Sequence, residues 1–197
     1  MHDSLKNCCC PEKQLSYTQL IAIPFAIMSL STLGRVSARA LSAGKPFSSV
    51  VSLAVHGKGD GVGMKIDTGC GAHSFNADAL PAFGGEDSAP SPLYYALSGI
   101  ASCNQVTGSL VAKDLGIKLG TWEVDVNAEL DVAVLATGSE GNANFSEISG
   151  KIRVQTDANS EQLAKLASET ERRCPITQLY KRSGLKYDVV WEAAPLP

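Results

Sequence analysis

An alternation of apolar and polar residues is the clearest pattern in the chain, and it runs from Thr121 to Val134. Apolar side chains stand at every second position, with mostly acidic or amide side chains between them, which predicts a strand with one buried face and one wet face. A second strand is predicted from Phe145 to Gln155, and a closing strand from Leu185 to Trp191. These segments indicate an antiparallel sheet with one face against an apolar core.

A long helix is predicted from about Pro92 to Leu115, because apolar residues recur there at helical spacing. Ser91 is expected to cap this helix, with Pro92 in its first turn and Gly116 as its terminator. Cys103 lies on or beside the apolar stripe. Since the other faces are also largely apolar, we expect the helix to be buried between a sheet and a partner subunit.

The remaining body alternates short strands and helices. Two runs compatible with strands, Ser48–Val55 and Gly63–Asp67, are separated by the sequence HGKGDGVG, whose glycines fit a hairpin loop. The segment His73–Phe75 is a candidate third strand, and Ser160–Arg172 and Pro175–Lys181 are predicted helices. The order of strands, long helix, strands, two helices and strand indicates an α+β fold with helices on one side of an antiparallel sheet.

Residues 1–46 are predicted to be an N-terminal extension. The apolar run Leu20–Leu33 is short for a membrane span, so we expect no stable span there. From Met28 to Phe47 the chain has basic residues and no acid, the composition of a mitochondrial presequence. We therefore expect mitochondrial targeting, and the alternative is a cytoplasmic protein with a mobile tail. The run Cys8–Cys10 is open to lipidation, although a mobile tail is favoured.

Composition excludes several classes of protein. The 197 residues are 44% hydrophobic and 19% charged, which is typical of one globular domain. The net charge of −3 argues against a nucleic-acid-binding surface. With only three histidines and no C-x-x-C pair, a zinc site is not supported, and we expect neither a metal nor another cofactor.

Cys174 stands where thiol chemistry is favoured, directly before Pro175 at a predicted helix start. The free N–H groups and the positive dipole end of a helix favour a thiolate over a thiol. Nearby basic residues add positive potential to this hypothesis: Arg172, Arg173, Lys181 and Arg182. The alternative is that the Cys-Pro pair only marks a helix boundary.

The other cysteines of the body have weaker signals. Cys103 lies in an apolar helix, where burial raises a thiol pKa unless a cation or a donor is close. Cys70 is near His73, but neighbours on an extended chain alternate faces, so a Cys–His dyad is disfavoured.

Three segments in order resemble one known family. APSPLYYALSGIASC contains Cys103, RRCPITQLYKRSG contains Cys174, and LKYDVVWE forms the predicted closing strand. They resemble the OsmC/Ohr family, which comprises osmotically inducible protein C and the organic hydroperoxide resistance proteins. The resemblance runs from about Val50 to Glu192 and implies an OsmC-like domain over residues 47–197. It also implies an intertwined homodimer with active sites at the subunit interface and the long helix buried.

The resemblance implies a thiol-dependent peroxidase that reduces organic hydroperoxides. Cys103 is then the peroxidatic residue, whose sulfenic acid condenses with the resolving Cys174 to a disulfide. An external dithiol resets the pair, and in the Ohr branch of the family that reductant is a lipoyl protein.

Two family features are missing from this sequence. The position of the family's activating Glu falls on Leu93 or Tyr94, and no Arg occurs between Arg39 and Arg153. The activating cation then comes from elsewhere, with Lys58 and Lys65 as candidates, or is absent. The alternative function is therefore an OsmC-like dimer without peroxidase activity that binds a small apolar ligand.

Overall fold

The computed structural model describes residues 50–69 and 71–197. The predicted extension over residues 1–46, its targeting signal, the run Cys8–Cys10 and Cys70 lie outside the described residues. Two compact units are present: residues 50–57 with Ile66–Phe75, and Lys58–Lys65 with Asn76–Pro197. No helix within the described ranges has the length and apolar run that crossing a membrane requires.

The first three strands form one sheet in chain order. They are β1 (Val55–Asp60), β2 (Gly63–Thr68) and β3 (His73–Ala77). The prediction of a strand over Ser48–Val55 is wrong in its described part, because the first strand begins only at Val55 and continues through most of the predicted loop. The turn between β1 and β2 contains only Gly61 and Val62, which is shorter than the predicted loop. Gly61 adopts a positive φ of 60°, and its N–H donates to the Asp60 side chain, so both features favour a tight turn.

The long helix α1 (Pro92–Leu115) has the predicted bounds. Its first turn is capped by Ser91, whose Oγ accepts a hydrogen bond from the Leu93 N–H at 3.3 Å. It ends at Gly116, which adopts a φ of 69° and donates its N–H to the Ala112 carbonyl. The capping residues at its two ends therefore determine the bounds of the helix that carries Cys103.

The second sheet has the order β4-β5-β6 and contains a parallel pair. Strand β4 (Leu119–Leu130) is antiparallel to β5 (Phe145–Thr156), as predicted, whereas β6 (Lys186–Ala194) is parallel to β5. Helices α3 (Ser160–Arg173) and α4 (Pro175–Arg182) connect β5 to β6. Such a connection returns the chain in the same direction, which the alternation pattern alone does not reveal. The predicted α+β class is confirmed.

A short helix replaces the end of the predicted strand Thr121–Val134. The strand stops at Leu130, and α2 spans Ala133–Thr137. The Asp131 side chain accepts a hydrogen bond from the Ala133 N–H at 2.9 Å, which turns the backbone out of the extended conformation.

One face of α1 is buried in two apolar clusters, and the opposite face is exposed. Ile100 packs with Ile148 and Leu185 in one cluster, and Val111 packs with Leu166 in the other. The helix predicted to be buried is thus half-buried within one chain.

Helix α1 lies close to the second sheet at Gly108. A Cβ added at this position would lie 2.5 Å from Cη2 of Trp122, whose ring packs edge-on against Trp191 at 5.6 Å between centroids. A side chain at position 108 would therefore clash with the Trp122 indole, which is already packed against Trp191. The absence of a side chain at Gly108 allows the helix to lie close to the sheet.

We expect Gly108→Ala to lower the free energy of unfolding by about 1–3 kcal/mol, the usual range for overpacking a filled interior. The matched control is Gly99→Ala on the same helix, where the nearest heavy atom is Ile176 Cγ2 at 3.8 Å. The control should stabilise the helix by about 0.5–1 kcal/mol through propensity. Urea denaturation checks both values, and a neutral Gly108→Ala would contradict the close contact.

Asp78 organises the loop that leads to α1. Its side chain is 5% exposed, and its carboxylate accepts hydrogen bonds from the N–H groups of Ala79, Glu86 and Ser88 and from the Ser88 hydroxyl. These bonds, with the Ser88 N–H as the largest influence, lower the pKa of Asp78 to about 2.

Because the folded pKa of Asp78 lies below the unfolded value, its stabilising contribution is complete above about pH 4 and is lost as the pH falls towards 2. We expect the urea midpoint of the wild type to fall across this window, and Asp78→Asn to flatten that decline. The control is Asp87→Asn, an exposed carboxyl of the same loop. Parallel declines in the wild type and Asp78→Asn would contradict the assignment.

Candidate thiol site

Helices α1 and α4 bring the two predicted site residues together. Cys103 lies in the middle of α1, Cys174 is the N-cap of α4, and both are free thiols. Asn104, the neighbour of Cys103, donates a hydrogen bond to Thr177 Oγ1 of α4 at 3.1 Å, and each thiol influences the pKa of the other in the opposite direction. The two thiols therefore belong to one site, and their titrations are coupled.

Cys174 is fully buried and has several donors around its sulfur. The Thr177 N–H donates to Cys174 Sγ at 3.4 Å, in the side-chain capping geometry of a helix start. Burial raises the pKa of Cys174, but the Thr177 hydroxyl and N–H, Cys103 and the Ile176 N–H outweigh it, so the pKa is lowered.

Cys103 has the opposite properties. It is partly exposed, and its sulfur lies 4.0 Å from Thr107 Oγ1. Burial is the largest cause that raises its pKa, followed by the influence of Cys174, while the Ile176 N–H opposes both. The pKa directions therefore favour Cys174 as the more acidic thiol, and Cys103 is the more exposed of the two.

A buried amide and hydroxyl support the pair. Asn104 Nδ2 donates to the Ile100 carbonyl at 2.8 Å and to Thr177 Oγ1 at 3.1 Å, and both Asn104 and Thr177 are fully buried. Sequence reasoning missed these two residues. A polar residue on the apolar face of a long helix, beside a cysteine, was the available signal for Asn104.

Three of the four basic residues named near Cys174, Arg172, Arg173 and Lys181, pair with carboxylates. Arg173 Nη1 lies 2.6 Å from Asp114 Oδ2, and Lys181 Nζ lies 2.8 Å from Glu171 Oε2. Within the part of the chain that the structure describes, no cation is among the leading influences on the Cys103 pKa. Burial and hydrogen-bond donors, rather than a neighbouring positive charge, are therefore the main influences on the pKa values of the two thiols.

Four residues either occupy the position of the family's activating Glu or are candidates to replace its activating Arg. Leu93 and Tyr94, where the activating Glu is expected, are exposed in the first turn of α1. Lys58 lies on β1 and Lys65 on β2, and their role as activating cations stays a prediction. His73 is exposed on β3.

An apolar stripe runs along the exposed side of α1 beside Cys103. Val106 and Leu110 follow Cys103 at spacings of three and seven residues, so the three side chains share one side of the helix. Val106 is 59% exposed and Leu110 is 39% exposed. Among residues 50–69 and 71–197, no group of three or more His, Cys, Asp or Glu side chains is placed to bind a metal ion.

The chain belongs to the OsmC-like protein family, whose sequence model matches residues 85–189 and so includes both Cys103 and Cys174. No curated protein matches the chain.

Solved structures of the family share the fold. An OsmC-like protein from Mycoplasma pneumoniae superposes with a TM-score of 0.63 at 18% identity, covering 73% of this chain and 98% of its own. An organic hydroperoxide resistance protein from Elizabethkingia anophelis gives a TM-score of 0.58 at 16% identity, with coverages of 75% and 100%. The organic hydroperoxide resistance protein OsmC from Legionella pneumophila gives 0.55 at 16%, with 75% and 99%.

Proposed function

We propose that this protein is a thiol-dependent peroxidase that reduces organic hydroperoxides. The observation that carries the proposal is that α1 and α4 bring two free thiols into one site, Cys103 partly exposed and Cys174 buried, and that each influences the pKa of the other. Family membership supports it, and so do the structural relatives that are named for organic hydroperoxide resistance.

In the proposed first step, Cys103 attacks the terminal oxygen of the hydroperoxide ROOH. The Cys103 proton passes to the Cys174 thiolate, a sulfur–oxygen bond forms and the O–O bond breaks. The departing alkoxide takes up a proton and leaves as ROH. Cys103 is oxidised to the sulfenic acid, and the peroxide is reduced to the alcohol. The greater exposure of Cys103 supports its proposed role as the attacking thiol, although the pKa of Cys174 is lowered and that of Cys103 is raised.

In the second step, the Cys174 sulfur displaces hydroxide from the Cys103 sulfenic acid. A disulfide forms and water is released after proton transfer. An external dithiol, such as a lipoyl group, then reduces this disulfide by exchange and is itself oxidised to a disulfide.

We expect Cys103→Ser to reduce peroxide consumption to background in an assay with cumene hydroperoxide and a dithiol, because the attacking sulfur is gone. Cys174→Ser should allow one sulfenic acid per chain and then stop turnover. The control is Cys70→Ser, which leaves both proposed thiols in place. Full peroxide consumption by Cys103→Ser would overturn the function.

A second candidate function, a dimer that binds a small apolar ligand without peroxidase activity, is favoured by Leu93 and Tyr94 at the position of the family's acid. Intact-mass analysis after one equivalent of cumene hydroperoxide separates the two functions. A loss of about 2 Da per chain marks disulfide formation, whereas unchanged thiols favour the binding function.

We also propose that the protein is a homodimer in which a second copy covers the exposed apolar stripe of α1. Val106 and Leu110 are large apolar side chains that one chain leaves exposed, and they lie on the same side of α1 as Cys103. Neighbouring exposed apolar side chains of this kind mark interaction surfaces. A partner at this place would exclude water from the surroundings of Cys103.

We expect Val106→Asp to convert the dimer into a monomer in sedimentation velocity, because a carboxylate would be buried without a partner. The matched control is Gln105→Asp, which adds the same charge at an exposed polar position of the same helix. A monomeric wild type, or a dimer that Val106→Asp leaves intact, would contradict this interface.

A further inference from the structure

A side-chain hydroxyl on α1 lies beside the candidate attacking thiol. Thr107 is 7% exposed and stands one helical turn after Cys103, so the two side chains share one side of the helix. Cys103 Sγ and Thr107 Oγ1 are 4.0 Å apart, which is within reach of a weak hydrogen bond to sulfur. The first step of the proposed reaction gives this hydroxyl no role.

The serine hydroxyls of α1 turn back onto the helix instead. Ser98, Ser102 and Ser109 each donate to a backbone carbonyl three or four residues earlier, at 2.8 or 2.9 Å. Such a bond is the usual arrangement for a hydroxyl within a helix. Among the residues that the structure describes, Cys103 Sγ is the only hydrogen-bond partner of Thr107 Oγ1.

Loss of the Cys103 proton decides the direction of this hydrogen bond. In the neutral pair either the thiol or the hydroxyl can donate, whereas a thiolate has no hydrogen and can only accept. Once the proton has left, the Thr107 hydroxyl must be the donor. A hydrogen bond to a charged group is about twice as strong as one between neutral groups, so the contact favours the thiolate over the thiol.

The negative charge of a Cys103 thiolate receives little support from cations. The elements packed against α1 are α3, α4 and β4, and none of their described cationic side chains is a leading influence on the Cys103 pKa. Burial raises that pKa and Cys174 of α4 raises it further, while the Ile176 N–H and the Thr107 hydroxyl lower it. The hydroxyl is therefore a neutral donor at a sulfur whose pKa is otherwise raised.

We propose that Thr107 is a further catalytic residue, whose hydroxyl donates to the Cys103 sulfur and stabilises the attacking thiolate. The proposal deepens the proposed peroxidase function and rests on it for its place in a reaction, because it concerns the same attacking thiol. The hydrogen bond itself rests on the position of Thr107 one turn after Cys103. A neutral hydroxyl then supports the thiolate without a neighbouring cation.

The test measures the ionisation of Cys103 without any peroxide. The full-length chain carries Ser in place of the five other cysteines, which are Cys8, Cys9, Cys10, Cys70 and Cys174. With one thiol left, the rate of alkylation by iodoacetamide, followed by intact mass, reports the thiolate of Cys103 alone. Thr107→Val keeps the shape of the side chain and removes the hydroxyl. It should raise the midpoint of the pH profile by about 0.5–1 pH unit.

Two further variants separate the hydrogen bond from a change in packing. Thr107→Ser retains a hydroxyl and should return the midpoint at least halfway to that of the parent chain. Ser109→Ala removes an exposed hydroxyl of the same helix and should leave the midpoint unchanged. An unchanged midpoint in Thr107→Val, or a full upward shift in Thr107→Ser, would overturn the proposal. Circular dichroism checks folding, and Thr107→Ala replaces the Val variant if that variant does not fold.

The alkylation profile separates this proposal from the proposed function. The expected shift in a protein that consumes no peroxide would leave the Thr107 hydrogen bond standing and remove the peroxidase. If the wild type consumes peroxide, Thr107→Val should slow consumption by up to about tenfold at neutral pH, and by less as the pH rises towards the midpoint. Equal slowing at every pH would contradict a role in stabilising the thiolate.

Discussion

The contact between the buried face of α1 and the first turn of α4 is the interaction on which the rest of the structure depends. It places Cys103, from the middle of one helix, against Cys174, at the start of another. Gly108 lets α1 lie close to Trp122, and Asn104 ties α1 to Thr177 of α4. Without this contact, two cysteines distant in sequence would have no shared chemistry.

The site divides two tasks between two similar side chains. The start of α4 and the Thr177 N–H stabilise negative charge on Cys174, which is fully buried. Cys103 is accessible but holds its proton more firmly. In the proposed mechanism the two thiols act together, because a buried base can activate an exposed nucleophile without a neighbouring cation.

The local sequence was sufficient for α1, because Ser91 and Gly116 bound a helix whatever packs on it. Pairing was harder to predict. The first strand was predicted over the apolar run Ser48–Val55, but the observed strand β1 covers the glycine-containing residues Val55–Asp60. A strand forms where a neighbouring strand supplies hydrogen bonds, which the local composition does not reveal. The parallel placement of β6 depends equally on long-range pairing. Both cysteines were identified as candidates from their motifs, whereas the hydrogen bond from Asn104 to Thr177 joins two helices that are distant in sequence and that no local pattern connects.

The most direct test of the central claim is disulfide mapping of the reduced full-length protein after brief oxidation with diamide, which needs no peroxidase activity. Apposition of α1 and α4 predicts one dominant linked pair of peptides that contain Cys103 and Cys174. Linkage of Cys103 to Cys70 or to the run Cys8–Cys10, with Cys174 left as a free thiol, would contradict it.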